Sequence, residues 1–266
     1  LSAIGSVALG IIALALSLMG TAGAGPVSLV ILGLVGALVA VDLASSIVNT
    51  IVTRTVPPKP LPGLDLARGI PPHLRTLVAV PVLLHDVADI HEMIERLEVH
   101  HLTSTGGAVH YALLSDTVDS PTETDGADAD LIATATAAVQ RLNRLYPGER
   151  GDRFYFLHRR RLWNPSEGVW MGWERKRGKL AELNRLLRAA VDTSFAVVSS
   201  PLPSDIRYVI TLDADTRLLR GTVAQMVGKM GHPLNRARFD SVSQRVTGGY
   251  GILQPRVSPS LPSGKN

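Results

Sequence analysis

Asp213 and Asp215 end the stretch YVITLDADT (residues 208–216), where an apolar, β-branched run stops on two acids separated by one alanine. Such a run reads as a buried strand, and carboxylates at the C-terminal edge of a strand sit where open α/β sheets bind their ligands. Mg²⁺ and Mn²⁺ take hard oxygen donors, commonly one or two carboxylates together with substrate phosphates. The expected chemistry is therefore a divalent metal held by Asp213 and Asp215 and bridged to a nucleotide. Asp116, which ends LLSD (residues 113–116), is placed just past another strand, where it could bond a base or ribose. In WERKRGKLAELN (residues 173–184) a basic cluster with Lys179 runs into a helix start, a place where backbone donors and cations favour a diphosphate. The competing readings are plain turn acids for the aspartates and a solvated basic helix face for the cluster.

Other residues invite chemistry less strongly. His100 and His101 are adjacent, which turns them to different sides of a helix, so they lack metal-ligand spacing. Arg159, Arg160 and Arg161 could grip phosphate or form a solvated or membrane-facing cluster. Trp163, Trp170 and Trp173 could stack on sugar rings or fill core. No G-x-S-x-G elbow, P-loop or H-E-x-x-H occurs. A phosphatase with an aspartate nucleophile also begins on Asp-x-Asp, but Arg217 stands where a Thr or Val is usual, and the motif comes late in the domain.

The elements that must position these side chains alternate. Strands are expected at residues 76–81, 108–114, 154–157, 207–212 and 250–254, with helices at 87–99, 128–145, 178–191 and 222–230. This β-then-α rhythm predicts a mainly parallel sheet. The last stretch, residues 257–266, reads as loop.

No charged residue precedes Asp42, and a TAGAGP break separates two apolar runs, so residues 1–53 read as two transmembrane helices (about 1–20 and 27–52). Asp42 lies late in the second run and argues that the hydrocarbon span ends before the helix does, the helix continuing as an interfacial turn. A signal peptide would need a basic start, a short apolar core and a cleavage site before a mature domain, and no basic start precedes the run. Residues 54–75 are proline-rich and read as a stiff linker, followed by a domain over residues 76–266. Arg54, Lys59, Arg68 and Arg75 against the single Asp65 predict that the soluble part is cytoplasmic. The chain has no cysteine, which excludes disulfides and thiolate metal sites. Its net charge of +4 suits a membrane surface or a phosphate-bearing ligand, and no basic and aromatic interleaving favours nucleic acid.

VAVP (from Val78), LLSD, KLAELN and LDAD stand in the order found in processive, family-two-like glycosyltransferases, which they resemble. LPGLDLARGIPP, RRRLWNPSEGVWMGWERKRGKL, YVITLDADTRL, HPLNRARFD and YGILQPRVSPSLPS are more closely similar to the glycosyltransferase region of the cyclic β-1,2-glucan synthases. The resemblance implies an α/β GT-A (Rossmann-like) nucleotide-sugar domain after the two transmembrane helices, in a multi-pass protein of a bacterial-type inner membrane. It further implies UDP-glucose as donor and a growing β-1,2-glucan as acceptor, with inversion at the anomeric carbon. Asp116 would lie near the uridine, Lys179 near the diphosphate or ribose, and Asp213 with Asp215 would hold Mg²⁺ or Mn²⁺. Val82, Leu83, Leu84 and His85 depart from the small polar stretch the family carries after its first strand. The acceptor-side general base of the family is expected beyond Asn266, so the chain reads as a partial domain that binds donor and does not by itself synthesise glucan. The alternative is a non-catalytic, membrane-tethered nucleotide-sugar binding or assembly module.

Overall fold

The computed structural model describes residues 2–56, 59–149 and 151–255. The chain divides into two units, Leu1–Pro60 and Leu61–Asn266.

The first unit is a pair of helices, α1 (Ser2–Thr21) and α2 (Pro26–Thr55), both long and apolar enough to cross a membrane. Gly23 takes a positive φ of 84° in the break, and Pro26 opens α2 in the first turn, where its missing N–H leaves no bond unmade. Ala8 of α1 and Ala40 and Ala44 of α2 are buried together, small residues that let helix backbones approach closely. Leu34 and Leu38 remain more than two-thirds exposed, at 71% and 79%. Ser45, Thr50 and Thr53 turn their hydroxyls back onto the carbonyls of Val41, Ser46 and Asn49, so these polar groups are satisfied inside the helix.

The second unit is an α/β domain. Its sheet contains β1 (Thr76–Leu84), β2 (Val109–Thr117), β3 (Phe154–Arg159), β6 (Phe195–Val198) and β7 (Tyr208–Thr211), in the order β6-β3-β2-β1-β7. β1, β2, β3 and β7 are parallel, and β6 pairs antiparallel with β3. Two short hairpins, β4 (Leu162–Asn164) with β5 (Val169–Met171) and β8 (Arg238–Asp240) with β9 (Arg245–Gly248), complete the strands. The helices are α3 (Val87–Leu102), α4 (Asp128–Leu145), α5 (Arg175–Leu186) and α6 (Thr222–Gly231).

Alternate residues of the central strands enter opposite cores. Val78, Val80, Val82, Tyr111 and Leu113 pack with Ile90, Ile94 and Leu97 of α3, with Val139 of α4 and with Val223 of α6. Leu77, Ala79, Ala112, Leu114 and Tyr155 pack on the other face with Leu183 of α5. α3 starts where the Asp86 side chain accepts the Asp89 N–H at 2.8 Å, and its buried residues recur at helical spacing. This mixed α/β architecture with a mostly parallel sheet is consistent with a GT-A-like domain.

Several boundaries differ from expectation. β1 continues through Val82 to Leu84, both buried, so these residues belong to the strand and not to a loop after it. β2 likewise runs through Ser115 and Asp116, whose polar side chains find partners inside the fold. α5 starts and ends earlier than expected: after Leu186 the chain turns at Ala189 (φ 64°), whose neighbour Ala190 donates its N–H to Arg185 O at 3.0 Å. Residues 250–254 form no strand. Tyr250 makes one isolated bridge to Arg236, and the adjoining Gly249 and Gly251 offer no side chains to a ladder. The expected terminal loop at residues 257–266 lies outside the described residues. Within the stretch read as linker, residues 61–75 run along the α/β unit: Leu64 N–H bonds Gly228 O at 3.0 Å, Ile70 bridges Gly107, and Ile70 and Leu74 are buried.

Candidate functional site

The order of the sheet reverses about β1: β2 and β3 follow on one side, then β7 is added on the other. Ligands of open α/β sheets lie at such a switch point, beyond the carboxyl ends of the strands. β2 and β7 each deliver one of the expected acids to this edge. Asp116 stands opposite Leu83 in the β1–β2 register, and β7 gives way to the Asp213–Asp215 loop just after Leu212 N–H bonds Ala79 O at 3.0 Å.

Asp116 and Lys179 are brought together, and both are buried, each with 4% exposure. The Lys179 ammonium lies 3.2 Å from Oδ2 of Asp116 and donates to the carbonyl of Val82, tying the ends of β1 and β2 to α5. Burial lowers the Lys179 pKa from its ordinary value, and the Asp116 carboxylate opposes that shift.

Sequence reasoning missed the centre of this cluster. Arg159, with a fully buried side chain, forks onto Asp116 with Nε–Oδ1 at 2.8 Å and Nη2–Oδ2 at 2.9 Å. It also donates to the carbonyls of Trp173 (3.0 Å) and Arg175 (3.2 Å), so the segment entering α5 is laced to the end of β2. Glu182 lies 3.8 Å from the same guanidinium. A Cβ on Gly172 would fall 2.3 Å from Asp116 Oδ2, and one on Gly178 only 1.9 Å from the Trp173 carbonyl, so glycine alone permits these approaches.

The three consecutive arginines are thus not one solvated cluster. Arg161 is also buried and donates to Val118 O at 2.7 Å and to Asp128, while Arg160 is exposed. Burial raises the Asp128 pKa, but hydrogen bonds from Arg161 and the Asp125 backbone carry it below the usual value. No alternation marks Arg159 and Arg161, since β3 is buried at every position and ends at Arg159, and Arg161 stands in the link before β4. Beside Asp116, His158 shares a 2.8 Å hydrogen bond with Ser115 Oγ, and burial pushes its pKa down to about 4.

Asp213 and Asp215 differ from Asp116 in being exposed. The Asp213 carboxylate accepts from the ammonium of Lys176, in the first turn of α5. A cation lodged on Asp213 and a second carboxylate two residues on fit a hard divalent ion in charge and donor type. Among the described residues no set of three or more acidic or histidine side chains forms a metal cluster, so further ligands would come from substrate oxygens or water.

The tryptophans do not fill core. Trp163 and Trp170 form a cross-strand pair on β4–β5 with ring centroids 5.9 Å apart, and Trp163 and Trp173 are about half exposed. Ser120 and Trp170 exchange backbone hydrogen bonds of 3.0 and 2.8 Å, which pins this hairpin beside the end of β2. His100 is buried, and His101 packs edge-on against Tyr111, Tyr146 and Phe154, in keeping with structural roles.

Over 228 residues, 86% of its length, the chain is 46% identical to the cyclic beta-(1,2)-glucan synthase NdvB of Rhizobium meliloti (strain 1021). It is homologous to a segment of that glucan synthase. The chain spans 8% of the relative's length. No family model matches it. The matched glucan synthase supports the resemblance drawn from the motifs.

Proposed function

We propose that the chain supplies the donor-binding part of a membrane glucosyltransferase that uses UDP-glucose to build β-1,2-glucan. The observation carrying this reading is the placement of strand-end acids from β2 and β7 on either side of β1, where the strand order reverses. Homology to a protein that makes cyclic β-(1,2)-glucan supports the substrate class. Asp213 and Asp215 would hold a divalent cation against the diphosphate. When bound, that cation would neutralise the charge developing on UDP as it leaves. Lys179 and Asp116 would serve the ribose and base end of the donor, reached past the segment 172–178. Fixing the donor in this crevice leaves the anomeric carbon open to in-line attack by an acceptor hydroxyl from the side opposite UDP, which gives inversion. The apolar helices α1 and α2 would anchor the domain to a bilayer.

The test is calorimetric UDP binding to the whole chain with and without Mn²⁺, for the natural sequence and for Asp215→Ala, followed by an assay of glucose transfer. Binding that needs Mn²⁺ and is weakened at least tenfold by Asp215→Ala is expected. Metal-independent binding that the substitution leaves unchanged would sink the assignment.

A further inference from the structure

Three cations open α5, Arg175, Lys176 and Arg177, and its first turn contains no acid. Positive charge at a helix N-terminus opposes the helix dipole, so each cation requires compensation from elsewhere. Arg175 forks onto Asp119 at 2.8 and 2.7 Å, and Arg177 bonds Glu174 at 3.1 Å. Lys176 instead reaches the loop after β7, where its ammonium donates to Oδ1 of Asp213. The two side chains are 51% and 63% exposed. An ion pair this exposed shifts an equilibrium by only about 1.5- to 5-fold. It holds the carboxylate, yet a doubly charged ion can displace it.

We propose that Lys176 is an exchangeable counter-ion of the Asp213–Asp215 pair. Without ligand its ammonium neutralises Asp213. When a divalent cation arrives with a nucleoside diphosphate, the ammonium leaves the carboxylate and bonds a diphosphate oxygen. The transfer would be short, because a diphosphate bound beside Asp213 would lie next to the ammonium that now contacts this carboxylate. The ammonium and the N–H groups of the first turn of α5 then face the same anion. Lys176 thereby couples the two ligands: it competes with the metal alone and favours the metal together with diphosphate. This inference rests on the reading of Asp213 and Asp215 as metal ligands.

Lys176→Met removes the charge at an exposed position and keeps the side-chain length. In calorimetry on the whole chain in detergent micelles, it is expected to tighten binding of Mn²⁺ alone by about 1.5- to 5-fold. The same substitution is expected to weaken UDP binding at saturating Mn²⁺ by a similar factor or more, and Lys176→Arg to restore both values towards the natural ones. These opposed signs are not produced by general loosening of the fold. Mn²⁺ affinity that is unchanged or lower in Lys176→Met, or UDP affinity that is unchanged, overturns the proposal. Asp215→Ala separates the two layers: if it abolishes Mn²⁺ binding while Lys176→Met is silent, only the role of Lys176 falls. If Asp215→Ala leaves Mn²⁺ binding intact, the metal site and the role of Lys176 fall together.

Discussion

Asp116→Ala would leave the Arg159 guanidinium and the Lys179 ammonium buried without their shared counter-ion. Breaking a buried pair from one side costs about 3–5 kcal/mol, because the stranded charge keeps its desolvation penalty. Urea denaturation should therefore show a lower midpoint for Asp116→Ala by that margin, whereas Asp215→Ala, at an exposed carboxylate, should change stability by less than about 0.5 kcal/mol. Protons act on this end of β2 through His158 and on its opposite end through His110. Burial holds His110 and His158 down to about 4, against 6.5 in the unfolded chain. Between those values the unfolded state binds more protons, so stability is full above about pH 7 and falls as the pH drops from 6.5 towards 4. The slope is up to about 1.4 kcal/mol per pH unit for each histidine, and less for His110, whose greater solvent contact screens it. His158→Gln should flatten this fall, as read from urea midpoints at pH 5 and pH 7. Asp213, Asp215, Asp116 and Lys179 were legible in the sequence because an acid ending an apolar run, or a lysine entering a helix, departs from its local pattern. Arg159 was not legible, since its partner lies 43 residues away and only the β2–β3 register brings the two together.

At the scale of elements, the segment joining β5 to α5 packs directly over the buried Asp116–Arg159 pair. Gly172 lies against Asp116, and Glu174 and Arg175 both take left-handed φ angles (50° and 49°) before the helix begins. Gly172→Ala should push this segment away from the Asp116–Arg159 fork, at a cost of about 1–3 kcal/mol for overpacking. A lower urea midpoint together with weaker UDP binding is the expected outcome; unchanged stability would show that the close approach at Gly172 is not needed. Long elements could be read from the sequence because periodicity accumulates over their length: α4 appears at residues 128–145 as expected, and α3 and α6 begin where expected. The three-residue strands β4 and β5 give no such signal. Their hairpin exists because Trp163 pairs with Trp170 and because Ser120 supplies a backbone partner from a distant stretch. The same limit applies at β1 and β2, where alternation is hidden by burial on both faces and only pairing with neighbouring strands shows that the strands continue to Leu84 and Thr117.

At the scale of the whole molecule, α2 is long and apolar enough to cross a membrane and precedes the α/β domain in the chain. Its 30 residues extend about 45 Å, against about 30 Å of bilayer hydrocarbon, so a helix of this length placed across a bilayer would emerge in part or tilt. α2 carries no charge before Asp42, which lies just past its midpoint, and Arg54 stands in its last turn, so the C-terminal part is the one expected to emerge. The surplus of Arg54, Lys59, Arg68 and Arg75 over Asp65 leads to the expectation that the α/β domain faces the cytoplasm. Because the chain contains no cysteine, single-cysteine variants report this without background. Ala22→Cys marks the turn between α1 and α2, and Val191→Cys marks a 98% exposed position on the α/β domain. In intact spheroplasts a membrane-impermeant maleimide should label Ala22→Cys and spare Val191→Cys, and permeabilisation should expose the second. Labelling of Val191→Cys alone before permeabilisation would reverse the orientation, and equal labelling of both would show that the helices do not cross. Either result would overturn the proposed cytoplasmic placement of the Asp213–Asp215 loop.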